Sequence, residues 1–208
     1  MNLLAEKALN SIVQILLFTL IPFVWWCITA RGKSNFFQWI GVKRVSSPKE
    51  NKTVLWIVGT TIVFLAVSLF ILYTVRNIET ATSEFSGLGM KALPAILVYA
   101  ALNTSFPEEL LFRGFLLKRL SHQFGFLMGN TVQSLLFGLL HGAMFLTLTG
   151  IPQAILIIGF TGGIAWCMGY VNERKADGSI LPSWCIHAAA NIFSGVCSAF
   201  LLFNGHGL

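Results

Sequence analysis

A chain of 208 residues that is 55% hydrophobic and only 11% charged falls well short of the roughly 25% charge of an ordinary soluble domain. Charge this sparse cannot cover a water-exposed surface of that size, so lipid must be the solvent for much of the chain and a soluble globular domain is excluded. The formal charge of +6 does not signal nucleic acid, because the basic residues gather in particular loops and nowhere alternate with aromatics along a polar face.

Six hydrophobic segments, each near the roughly 20 residues that cross a bilayer as helix, are predicted at 11–30, 54–75, 92–112, 126–147, 153–171 and 180–203. The expected fold is all-α: a polytopic membrane helix bundle with about six transmembrane helices. Strand barrels are excluded because alternating patterns of about ten residues are absent. Residues 1–91 hold two helices joined by a basic loop, and residues 92–208 hold the other four.

The first segment is too long for a cleaved signal peptide and ends in Trp25, Trp26 and then Arg31, which reads as an interfacial anchor. The loop that follows carries Arg31, Lys33, Lys43, Arg44, Lys49 and Lys52. Lys118 and Arg119 follow the third segment, and Arg174 and Lys175 the fifth. The opposite loops hold Lys7, Arg76 and Lys91. This bias puts the three basic loops in the cytoplasm and both termini outside. The 76–91 linker, with Asn77, Thr80, Thr82, Ser83, Ser86 and Gly87, reads as an exposed loop.

Cys27, Cys167, Cys185 and Cys197 all fall in apolar segments without a CxxC, so they read as small buried hydrophobes. Gly159 and Gly163 are expected to permit close helix contact. His122, beside Lys118 and Arg119, and His206, in the tail, are expected to have no role in chemistry.

Ionisable groups inside a bilayer cost about 2.5–3.5 kcal/mol each to insert, so each one needs a reason. Three segments contain them. The third ends Ser105-Phe106-Pro107-Glu108-Glu109-Leu110-Leu111-Phe112-Arg113-Gly114. Pro107 suits a helix first turn, where the two acids would meet the positive end of the dipole. Glu109 and Arg113 share a face at i, i+4 and can pair, leaving Glu108 free. The fourth segment places Phe137 one turn before His141, with Gly138 and Gly142 in a close-packing spacing. The sixth pairs His187 with Asn191 at i, i+4. Each cluster alone has an ordinary structural explanation. Together they need only one polar site inside the bundle.

A glutamate with a histidine can activate water as a general base; a second histidine and an asparagine can hold an oxyanion. The same Glu108, His141 and His187 also make a catalytic zinc set, although the helical H-E-x-x-H signature is absent. No cofactor is favoured, with zinc as the alternative.

Glu108-Glu109-x-x-x-Arg113, Phe137-x-x-x-His141 and His187-x-x-x-Asn191 resemble, in order and spacing, the three signature motifs of the CAAX-protease and bacteriocin-processing family of intramembrane endopeptidases. The resemblance covers about 100–195. It implies that 92–208 is a catalytic helix core in which Glu108 and His141 activate water, and His187 and Asn191 stabilise the oxyanion. Glu109, Arg113 and Phe137 would support them. It implies a peptide or membrane-anchored protein as substrate, a bilayer as environment, and the cell membrane of a bacterium as location. An access path from the cytoplasmic half is expected, because Glu108 lies about ten residues from Lys118. The competing readings are a non-catalytic immunity or scaffold protein, a proton-coupled transporter, and a b-type cytochrome ligated by His141 and His187.

Overall fold

The computed structural model describes residues 2–45 and 50–203; Lys49 and His206 lie outside the described residues. Those residues are helical and contain no strand. Helix α1 runs Leu3–Thr29, the short α2 Phe36–Ile40 and α3 Glu50–Thr74. Two 3-10 turns, Ser83–Phe85 and Gly89–Ala92, lead into α4 (93–124). This is one continuous helical run in which α-helical turns alternate with π-helical stretches at Tyr99–Ser105 and Leu110–Leu117. Then come α5 (Phe126–Thr149), α6 (Ile151–Tyr170, prolonged by a π-helical turn Val171–Lys175) and α7 (Leu181–Ala199).

Every predicted segment corresponds to a long helix, but α4 extends twelve residues past the expected end at 112. Its amphipathic last turns, Lys118–Phe124, lack the apolar run that defined the segment. Four helices are long and apolar enough to cross a membrane by length and composition: α1, α3, α5 and α6. Asn2 caps α1 by accepting from the Leu4 N–H at 2.8 Å, an ordinary use of a short polar side chain. Gly125 and Gly150, both at positive φ, turn α4 into α5 and α5 into α6 with no intervening loop.

The α5–α6 hairpin packs closely at Gly138, where an added Cβ would lie 2.6 Å from the Ile158 carbonyl oxygen. This is the approach that the Gly138 and Gly142 spacing predicts. Gly159 and Gly163 do not play that part: nothing lies within 4 Å of the place where their side chains would start, so they face outward. A polar clasp adds to the hairpin, with Asn130 Nδ2 donating to the Trp166 carbonyl (2.9 Å) and Gln133 Nε2 to Asn130 Oδ1 (2.9 Å).

The three basic loops share one end. Lys118 Nζ meets Glu173 at 2.8 Å and the Gly178 carbonyl at 2.7 Å; Lys43 Nζ meets Asp177 at 3.3 Å; and the Ile180 N–H donates to the Gly41 carbonyl at 2.9 Å. The other end is closed by Lys7 on Glu84 at 2.6 Å. All four cysteines are free, but only Cys197 is buried; Cys167 and Cys185 are exposed on helix faces, where a thiol is compatible with lipid.

Candidate active site

α4 and α7 each carry a polar stripe at i, i+4, i+8, and the stripes face one another. On α4 it is Ser105, Glu109 and Arg113; on α7 it is Ser183, His187 and Asn191. Asn191 reaches Ser105, while His187 and Ser183 reach Glu109. Numbers rise along one helix as they fall along the other, so the pair is antiparallel.

Glu109 is the hub of this ladder. It is fully buried and its two oxygens take three partners. Oε1 accepts from His187 Nδ1 at 3.0 Å and lies 3.0 Å from Arg113 Nη1; Oε2 accepts from the Ser183 hydroxyl at 2.5 Å. Asn172 extends the network, donating through Nδ2 to Ser183 Oγ (2.7 Å) and accepting from the Ser183 N–H (3.1 Å). A buried carboxylate is tolerable when paired and hydrogen-bonded in this way. The predicted Glu109–Arg113 pair is therefore present, but deep in the bundle rather than at a segment end.

Arg113 is also fully buried. Besides Glu109 it has the face of Phe137, whose ring centre lies 4.3 Å from its guanidinium carbon, a cation–π contact strengthened by desolvation. Phe137 lies 4.3 Å from the His141 ring and 6.0 Å from the His187 ring, centre to centre. One aromatic thus backs the arginine and both histidines, which is the reason it belongs with the polar motif.

The histidines are held by the same device. His141 Nδ1 donates to the Phe137 carbonyl at 2.9 Å, and His187 Nδ1 donates to Glu109. A carbonyl can only accept, so the proton on His141 sits on Nδ1 and its Nε2 is left as the open position. His187 Nε2 points to Glu108 Oε2, 3.8 Å away. That oxygen has no hydrogen-bond partner. Glu108 opens on a cavity of about 630 Å³ whose walls include Lys7, Thr80, Glu84 and Tyr99. A second cavity of about 160 Å³ is lined by His141, His187 and Asn191. The larger cavity reaches toward the Lys7–Glu84 end, not the basic end from which access is expected.

One other expectation, on Pro107, needs correction. Pro107 is not in the first turn of a helix but inside α4, directly after the π-helical stretch Tyr99–Ser105. Such a stretch redirects backbone carbonyls, and the Ala101 carbonyl there accepts from Trp184 Nε1 at 2.8 Å. The two acids therefore owe nothing to a helix start. Asn191 spends both amide hydrogens, on Thr104 Oγ1 (2.7 Å) and Ser105 Oγ (3.1 Å), so here it ties α7 to α4. Among the described residues no three His, Cys, Asp or Glu side chains come together in a way that could hold a metal ion.

Ser183, Asn172, Thr104, Ser105 and Trp184 complete the site without belonging to any motif. Ser183 was legible as the residue one turn before His187. Asn172 was not, since it sits in the π-helical turn that ends α6.

Compared with known proteins, residues 90–193 match the family model described as type II CAAX prenyl endopeptidase Rce1-like. No curated protein and no solved structure matches the chain.

Proposed function

Because the chain belongs to the Rce1-like family of type II CAAX prenyl endopeptidases, we propose that it is an intramembrane endopeptidase in which Glu108 activates water to hydrolyse a peptide bond. The observation that carries this is the asymmetry of the twin acids. Glu109 is consumed by Arg113, His187 and Ser183, whereas Glu108 Oε2 has no hydrogen bond and lies 3.8 Å from His187 Nε2, and Glu108 lines a cavity.

Water held between Glu108 and the open Nε2 of His141 gives a proton to Glu108 as its oxygen bonds to the substrate carbonyl carbon. The oxyanion is met by Nε2–H of a protonated His187, which Glu109 holds in place through Nδ1. Asn191 aligns α7 and yields its longer bond, to Ser105, when the oxyanion needs a second donor. Collapse breaks the C–N bond, and the proton on Glu108 passes to the leaving amine. No step is routed through a metal. Candidate substrates are a prenylated protein, as the family description names, and an unlipidated peptide precursor of the bacteriocin type in a bacterial cell membrane.

The test is cleavage of a panel of membrane-anchored peptides, prenylated and not, by the purified protein. Wild type cleaves a member of the panel with or without a chelator, and His141→Ala loses about 10²-fold or more. Chelator sensitivity would contradict the metal-free reading, and equal turnover by wild type and His141→Ala would overturn the site.

A further inference from the structure

Away from the site, α3 and α6 are separated by an open groove of about 620 Å³. Its walls are mostly apolar, formed by Leu55, Val63, Ile164 and Cys167 with Thr60 among them, and Gly59 widens it: nothing lies within 4 Å of where a Gly59 side chain would start. Lys52 lines one end. There Lys175 Nζ lies over Trp56, 5.0 Å from the ring centre, and Trp56 is itself part of the wall. The Thr53 hydroxyl donates to the Lys175 carbonyl at 2.6 Å, fixing the two helices together at this end, and Phe64 meets Phe160 further along, ring centres 5.3 Å apart.

The basic residues here differ from the others at this end of the bundle. Lys43 and Lys118 each have a carboxylate, Asp177 and Glu173. Among the described residues Lys52 and Lys175 have none, and no carboxylate lines the groove. From Lys52 to Val63 the helix rises about 16 Å, which is about half of the roughly 30 Å hydrocarbon thickness of a bilayer. The groove therefore runs the depth of one leaflet, with two ammonium groups at the headgroup level that have no carboxylate partner among the described residues.

We propose that this groove binds an anionic glycerophospholipid, its phosphate on Lys52 and Lys175 and one acyl chain along Gly59 and Val63. The charge selects the headgroup, and the mostly apolar walls favour an acyl chain over a polar ligand. Trp56 marks the boundary between the two, as aromatic residues do at membrane interfaces.

The experiment is native mass spectrometry of the full chain purified in detergent, titrated with phosphatidylglycerol or with phosphatidylcholine of the same acyl chains. Wild type retains phosphatidylglycerol selectively. The double variant Lys52→Gln and Lys175→Gln binds it about thirtyfold more weakly, from roughly fivefold for each basic side chain near the headgroups. Gly59→Phe fills the groove and abolishes retention while its melting temperature in detergent stays that of wild type. Should Gly59→Phe fail to fold, Val63→Trp on the exposed wall repeats that arm. The control Arg31→Gln with Lys33→Gln removes two charges elsewhere on the same end and keeps retention. Equal retention of the two lipids, an unaffected groove-filling variant, or an equal loss in the control would each overturn the proposal.

Discussion

The outer helices α1 and α3 and the inner pair α4 and α7 obey opposite rules. In α1 and α3 only 6% of the most apolar window is buried; Leu16, Leu17, Leu55 and Val63 are all more than half exposed. Lipid is their partner, and any apolar residue serves. In α4 and α7, Ser105, Glu109, Arg113 and Ser183 are completely buried, and each touches a named polar or aromatic group. The two helices that carry the polar ladder are thus the ones that look least like membrane spans: neither α4 nor α7 is among the four that qualify by length and apolarity, although α5, which adds Phe137 and His141, is. Hydropathy locates the solvent-facing shell of a membrane protein, whereas polar ladders locate its interior.

Four substitutions break or sharpen this contrast. Arg113→Ala removes one partner of a fully buried pair and leaves Glu109 uncompensated; it is expected to cost about 3–5 kcal/mol, read as loss of folded protein in a thermal melt. Gly138→Val puts carbon against the Ile158 carbonyl and should cost about 1–3 kcal/mol by overpacking, measured by denaturant titration in detergent. Asn191→Ala removes the two bonds to Thr104 and Ser105. Interhelical bonds of this kind average about 0.6 kcal/mol in membranes, so its stability should fall little while peptide cleavage falls much further. Leu55→Ala on α3 exchanges one lipid-facing residue for another and should stay within about 0.5 kcal/mol. A large loss for Leu55→Ala, or none for Arg113→Ala, would erase the distinction between shell and interior.

Much of this was legible in the sequence because its causes are local. The six segments follow from apolar runs, the Glu109–Arg113 pair from i, i+4 spacing, and the contact at Gly138 from the absence of a side chain. What escaped was set by backbone irregularity and partner choice. Pro107 looked like a helix start because a proline inside a helix normally breaks it; the π-helical stretch before it accommodates the ring, and no local pattern announces that stretch. The outward-facing Gly159 and Gly163 share their spacing with true packing glycines, so only the neighbouring helix tells them apart. The ties that Asn191 makes depended on Thr104 and Ser105, which lie 87 and 86 residues away in the chain.

Two adjacent glutamates, Glu108 and Glu109, are given different work by their surroundings. Glu108→Gln and Glu109→Gln, made side by side and measured for both peptide cleavage and thermal stability, test it most directly. Glu108→Gln is expected to melt with wild type and to lose about 10²-fold or more in cleavage, while Glu109→Gln is expected to lose about 3–5 kcal/mol of stability by leaving Arg113 unpaired. A stable, active Glu108→Gln protein, or a Glu109→Gln protein as stable as wild type, would contradict it.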